Sequence, residues 1–188
     1  QQVLYLYTAY EDYRKKQQVF DFTDMLTVFL ENASQLCPTF DTVFVDEAQD
    51  LSRLQWSVVR AIAEKADRVI IAGDDDQAIF RWAGADVDTF LELDGSSETL
   101  TQSWRVPASV HRLAESVVRN ISDRYPKTYL PRTANGEITW VSGVADLLRE
   151  IQAEGTWLIL AQCAYMLDNA EEVLRSAGIY YETKNRKS

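Results

Sequence analysis

The chain has 188 residues, with 29 acidic against 19 basic side chains and a net charge of −10. That length suffices for one large domain or two small ones, and a hydrophobic content of 46% supplies a core, which argues against wholesale disorder. The charge balance argues against a broad basic surface for nucleic acid, so any strand must be held by a local groove and by stacking.

No apolar run approaches the ~20 residues that cross a bilayer, and no membrane partner is expected. The N-terminal QQVLYLYTAYEDY lacks the charged start and apolar stretch of a signal peptide. It begins mid-pattern on a helix, so the chain is expected to be an internal piece of a longer polypeptide. Cys37 and Cys163 stand far apart and His111 is the single histidine. A thiolate zinc site is therefore not expected, and buried free thiols in a reducing cytoplasm are.

In chain order, Leu4 to Lys16 and Phe22 to Leu36 read as helices. In the second, Phe22, Met25, Leu26, Phe29 and Leu30 recur at helical spacing behind Asp21 as N-cap. Arg14, Lys15 and Lys16 read as a solvated helix end beside the C-terminal dipole. Thr42 to Val45 is a short strand ending in Asp46 and Glu47. Ser52 and Gln55 form a capping box for a helix whose buried stripe is Leu54, Val58 and Ile62. Val69 to Ala72 is the next strand. The strand–helix–strand order predicts parallel pairing, with both acidic strand tips on one edge.

A crossing to a second domain is expected around Glu98 to Trp104. Pro107 then precedes a helix with Val110, Leu113, Ala114, Val117 and Ile121 on one side. Asp123 to Gly136 is rich in turn residues and reads as a loop. Beyond it the pattern predicts a strand at Glu137 to Val141, a helix at Val144 to Glu154 and a strand at Thr156 to Leu160. A last helix follows with Leu167, Ala170, Leu174 and Ala177, then Gly178 as its C-cap and a further strand start at Tyr180 to Thr183. Lys184 to Lys187 reads as a mobile end.

The most informative stretch is Val69 to Asp86, VIIAGDDDQAIFRWAGAD. A β-branched run of buried-strand type ends at Gly73, and Asp74, Asp75, Asp76 and Gln77 follow where α/β sheets hold ligands. Phe80, Arg81 and Trp82 then alternate flat rings with a guanidinium, a pattern able to stack nucleobases. The plain alternative is an acidic turn followed by core aromatics. In VFVDEAQD, Asp46 suits Mg²⁺ held through water, and Glu47 suits orientation or deprotonation of a water that attacks phosphate. A strand end running into an acidic helix start has the same pattern. Gln77 could touch a γ-phosphate or its attacking water. Trp104 could stack on a nucleobase, and Arg105 could neutralise charge on a transferred phosphoryl group. Their plain alternatives are a turn amide, a core ring and a surface ion pair.

DFTDML, VFVDEAQD, AGDDDQAIFRWAGAD and LTQSWRVP, in that order, resemble superfamily I DNA helicases of the UvrD/PcrA/Rep type, over roughly Tyr5 to Glu182. The resemblance implies an α/β fold of P-loop NTPase (RecA-like) parallel sheets, with an incomplete first motor domain and the start of a second. Residues 1–36 would be the helical end of an accessory segment, 37–100 the C-terminal part of the first motor and 101–188 the N-terminal part of the second. It further implies ATP and Mg²⁺ as cofactors. Asp46 would be the Mg²⁺ residue of a Walker B motif, Glu47 the catalytic base and Gln49 the residue coupling that motif to its neighbours. Gln77 would sense the γ-phosphate, Arg105 would be an arginine finger and Trp104 would lie beside the ATP base. Phe80, Arg81 and Trp82 would bind single-stranded DNA.

The implied activity is ATP-driven movement on single-stranded DNA, 3′ to 5′, with unwinding at duplex junctions and the remainder of the polypeptide as partner. No G-x-x-x-x-G-K-[ST] occurs in the sequence, so the isolated chain is expected to hydrolyse ATP negligibly. Ala83 stands where an Arg often helps bind DNA, and Gln102-Ser103-Trp104-Arg105 replaces the more usual Asn-Tyr-Arg surroundings. Two readings compete with the motor. One is a Mg²⁺-dependent phosphoryl-transfer enzyme or nuclease using Asp46, Glu47 and Asp74 to Asp76 as a carboxylate cluster. The other is a non-catalytic, helicase-derived DNA-binding or assembly module.

Overall fold

The computed structural model describes residues 2–151 and 155–183. The chain divides into two compact units, Gln1–Thr133 and Ala134–Ser188.

The first unit opens with α1 (Gln2–Gln17) and α2 (Phe22–Leu36). Asp21 caps α2 as expected: its side chain accepts from the Asp24 N–H while the Asp24 carboxylate accepts from the Asp21 N–H. Arg14 is not the solvated residue that its place in a basic run suggests. Its side chain is only 11% exposed, ion-paired with Glu11, Asp21 and Asp24, and its guanidinium lies 5.0 Å from the centre of the Tyr10 ring. The carboxylates that cap α2 thus also fasten α1 to it. Otherwise α1 buries no residue.

Next come β1 (Phe40–Val45), α3 (Arg53–Ala63) and β2 (Ala66–Ile71). The strands pair in parallel, Val43 opposite Val69 and Val45 opposite Ile71, as the strand–helix–strand pattern predicts. Backbone bonds from Ala48 N–H to the Ala72 carbonyl and from Ala72 N–H to the Val45 carbonyl carry the pairing past the strand tips, at 3.0 and 2.7 Å. Both acidic segments therefore leave the same edge. The capping box at Ser52 and Gln55 forms as expected. Leu54, Val58 and Ile62 are only half-buried, however, and the residue that α3 buries fully is Trp56.

After the short helix α4 (Val87–Leu91), β3 (Gln102–Pro107) leads into α5 (Ala108–Val118). β4 (Leu130–Arg132) pairs in parallel with β3 inside the segment read as a loop. Three residues punctuated by Pro131 carry no alternation, so only the partner strand reveals this one. The expected apolar stripe of α5 faces out: Val110, Leu113, Val117 and Ile121 are exposed.

The second unit contains α6 (Val144–Ile151) and α7 (Asp168–Ser176), which buries Ala170 and Leu174. Gly178 follows α7 at φ +70°, in the left-handed conformation that a helix-ending glycine supplies. The strands expected at Glu137–Val141 and Thr156–Leu160 do not form, and near Tyr180–Thr183 only Thr183 makes a bridge. Neither segment finds a neighbouring strand among the described residues, and unpaired backbone gains nothing from an extended ladder. The end of the helix predicted to Glu154 and the Lys184–Lys187 tail lie outside the described residues.

Trp56 is 1% exposed, and its indole N–H meets no acceptor among the described residues. Trp56→Ala should cost about 3–5 kcal/mol by emptying a core site, whereas Trp56→Phe should cost less, because the smaller ring still fills part of the site and no hydrogen bond to a described residue is lost. Urea unfolding of the chain and both variants measures the difference.

Candidate nucleotide and DNA site

The site begins at the tip of β1. Asp46 and Glu47 are both exposed, and Asp46 Oδ1 accepts the Glu47 N–H at 2.9 Å. Glu47 has φ 50°, a left-handed conformation that is costly for a residue with a side chain. Two groups hold it there. One is the backbone bond from Ala48 to Ala72; the other is Gln49, whose Nε2 donates to Glu47 Oε2 at 2.8 Å.

Gln49 is 1% exposed, and its amide is used at both ends. Its Oε1 accepts the N–H of Asp74 at 2.9 Å, which joins the tip of β1 to the loop after β2. A side chain at Gly73 would not fit beside it, since an added Cβ would fall 2.6 Å from Gln49 Oε1 and 2.9 Å from the Phe90 ring. Asp74 then accepts from Gln77 Nε2 at 2.6 Å. Glu47, Gln49, Asp74 and Gln77 are therefore one continuous hydrogen-bonded series.

The three consecutive carboxylates are balanced by two cations from the segment before β4. Arg124 grips Asp76 with Nε and Nη2, at 2.7 and 2.6 Å. Lys127, its side chain 5% exposed, hydrogen-bonds Asp75 and lies 3.0 Å from Asp74 and 3.3 Å from Asp76. Burial by itself pushes the Asp74 carboxyl up, but the Gln77 amide and the Lys127 ammonium outweigh it, so Asp74 titrates below the ordinary carboxylate value. Burial alone would lower Lys127, yet its bonds to Asp75 and Asp74 hold it above the ordinary lysine value. Arg124 is raised by its bond to Asp76, against burial.

This pairing removes the basis for a carboxylate-cluster phosphoryl-transfer enzyme. Asp74, Asp75 and Asp76 spend their oxygens on ammonium, guanidinium, the Gln77 amide and backbone donors. No group of three or more His, Cys, Asp or Glu placed to hold a metal occurs among the described residues.

Beyond Gln77 the loop turns through Phe80, Arg81 and Trp82 and returns to the start of α3. Ser52 bridges Ala85, the Asp86 N–H reaches the Leu51 carbonyl at 2.8 Å, and Arg53 pairs with Asp86. Trp82 is 84% exposed, and Phe80 borders a cleft of about 270 Å³ shared with Phe22, Leu26, Ser52 and Gln55. Arg81 pairs with Asp88 at 3.0 Å. Trp104 and Arg105 lie exposed on β3; no hydrogen bond or ion pair joins either to the Glu47–Gln77 series among the described residues.

The UvrD/REP helicase N-terminal domain model matches residues 1–98. The chain belongs to the UvrD/REP helicase family. Among its relatives, the ATP-dependent DNA helicase PcrA of Bacillus subtilis is 28% identical over an alignment covering 92% of this chain and 28% of that protein. PcrA of Leuconostoc citreum is 26% identical over 94% of this chain and 27% of its own length. For PcrA of Staphylococcus aureus (strain Mu50) the figures are 28% identity over 73% and 20%. The chain spans about a quarter of the length of these curated relatives.

Within this family member, sequence reasoning missed Arg124 and Lys127. The signal was indirect: three adjacent carboxylates at a buried strand end need cations, and a basic pair three residues apart is the natural source.

Asp74 has a folded value below its ordinary 3.8, so its contribution to stability is present above that value and lost as pH falls through the lower one. Lys127 has a folded value above 10.5, so its contribution is present below 10.5 and lost as pH rises through the higher one. The stability gap between the unmodified chain and Lys127→Met should thus stay level from about pH 5 to pH 9 and narrow outside that range. Urea midpoints across pH measure it. Gln49→Met, which strands the Asp74 N–H, should cost about 1–3 kcal/mol at neutral pH in the same assay.

Proposed function

We propose that the chain is the nucleotide- and DNA-contacting part of an ATP-dependent DNA helicase, one that moves 3′ to 5′ along single-stranded DNA in the cytoplasm and opens duplex junctions. The observation that carries this reading is the buried Gln49 amide. It gives the acidic strand tip and the Gln77 loop a common mechanical base, which a motor needs if phosphate chemistry is to move a strand.

In this reading the fold is of the RecA-like, P-loop NTPase type. The first motor ends near residue 100 and the second begins at 101, with 1–36 as accessory helices. ATP lies between the motors, and the phosphate-cradling loop is supplied by the rest of the polypeptide. Asp46 suits Mg²⁺ held through water, a metal that neutralises phosphate charge: it is an exposed carboxylate with one oxygen taken by a backbone N–H, and hard oxygen donors are what that ion accepts.

Glu47, aimed by Gln49, takes the proton of the attacking water. Gln77 holds a γ-phosphate oxygen or that water, and must exchange its bond to Asp74 to do so. Arg105 reaches the developing negative charge, and Trp104 stacks on the adenine. Phe80 and Trp82 stack on bases of the strand, with Arg81 beside them. The family relation, the ATP-dependent DNA helicase relatives and the exposure of Trp82 all support these assignments.

In the full-length polypeptide, Glu47→Gln should lower DNA-stimulated ATP hydrolysis at least a hundredfold while nucleotide still binds. Hydrolysis at the unmodified rate would sink the motor reading. Trp82→Ala should weaken single-stranded DNA binding by ~1–3 kcal/mol. Unchanged binding in that variant would favour a non-catalytic, helicase-derived module instead. The 188-residue chain alone should hydrolyse ATP negligibly.

A further inference from the structure

The contacts that Arg124 and Lys127 make are unusual in what they connect. Asp74 to Gln77 leave the tip of β2, in the strand pair that also carries Glu47. Arg124 and Lys127 precede β4, which pairs with β3, the strand of Trp104 and Arg105. That second sheet is itself stitched: the Leu130 N–H donates to the Thr101 carbonyl at 2.7 Å, and Gln102 Nε2 donates to the Leu130 and Pro131 carbonyls. The backbone takes part too, since the Tyr125 N–H donates to Asp75 Oδ2 at 2.8 Å.

Three of these charges are shielded from water, while Arg124 and Asp74 are partly exposed. The side chains of Asp75, Asp76 and Lys127 are 3%, 7% and 5% exposed. Charges that deep persist only when paired, so the three contacts hold or release as a group rather than one by one. The Arg124 fork also fixes orientation, because two parallel N–H bonds to one carboxylate leave little freedom of rotation.

We propose that Arg124 and Lys127 are positioning residues for nucleotide turnover, forming a latch that sets the Gln77 loop against the β3–β4 sheet bearing Arg105. This rests on the motor reading. The latch contacts no nucleotide itself. It acts through Asp74, which shares Lys127 with Asp75 and at the same time holds the Gln77 amide. When Gln77 leaves Asp74 for phosphate, Lys127 keeps the Asp74 carboxylate compensated and the loop in place. The movement at Gln77 is then delivered to the β3–β4 sheet through a fixed support.

The test uses the full-length polypeptide with Arg124→Gln, Lys127→Met and the conservative Lys127→Arg. In the first two, amide hydrogen exchange at Gln77 and Tyr125 should quicken at least tenfold while Ile70 and Ile71 are unaffected. DNA-stimulated kcat should fall about tenfold with KM for ATP within twofold, and Lys127→Arg should recover at least half of kcat. Should Lys127→Met fail to fold, the partly exposed Arg124→Gln carries the same comparison. Unchanged exchange at Gln77 overturns the latch. Faster exchange with an unaltered kcat overturns its role in turnover and leaves ordinary structural ion pairs. An unmodified polypeptide that hydrolyses no ATP overturns the motor reading and the turnover role together, and the exchange data still report separately whether the latch forms.

Discussion

The local architecture depends on one buried amide. Gln49 is almost wholly buried and its amide is bonded at both ends: one end restrains Glu47, the other receives the backbone of Asp74. A buried amide that lost either partner would bear most of its desolvation cost. The two strand tips are therefore held in one relative position by a group that tolerates few alternatives. Gly73 follows from the same constraint, because only a residue without Cβ lets the backbone pass so close to Gln49 and Phe90. The left-handed Glu47 follows too, since its conformation turns the chain so that Gln49 points back into the gap.

Electrostatics makes the second layer. Three carboxylates in a row at a partly dry strand end would repel each other strongly if left alone. The fold answers with an ammonium that touches all three and a guanidinium devoted to the last. An acidic run that suggests metal binding is thereby converted into a brace between two sheets. Asp46 and Glu47 face solvent instead, which separates them from the acidic groups that hold the loop.

Local signals in the sequence were reliable where the structure is local. The caps at Asp21 and Ser52, the parallel β1–β2 pair and the glycine after α7 were all legible, because each depends on residues within one or two turns or on alternation over a short run. The family resemblance singled out Gln49, and the structure shows its amide bonded to both Glu47 and Asp74. The chain's longer-range facts were not. β4 is three residues without pattern, and its existence depends on β3. Trp56 lies off the stripe that periodicity picks out in α3. Arg124 and Lys127 matter because of partners some fifty positions earlier, and no periodicity links residues across such a distance. The strands expected at Glu137 and Thr156 failed for the mirror-image reason: their composition suits a sheet, but pairing partners are what make a strand.

Coupling in this chain therefore need not run through a single path. Glu47 reaches Gln77 by way of Gln49 and Asp74, a route of neutral and singly charged hydrogen bonds inside one strand pair. The same Asp74 reaches β4 by way of Lys127, a route of buried charge. Asp74 is the one residue in both, with its backbone N–H serving the first and its carboxylate serving both. A change at Gln77 alters how many donors share that carboxylate, and a half-buried carboxylate that loses a donor leans harder on those that remain. Release of Gln77 should thus tighten the Asp74–Lys127 contact rather than loosen it. On the proposed motor reading, such reciprocity would let a small movement at Gln77 stiffen the support between the two sheets.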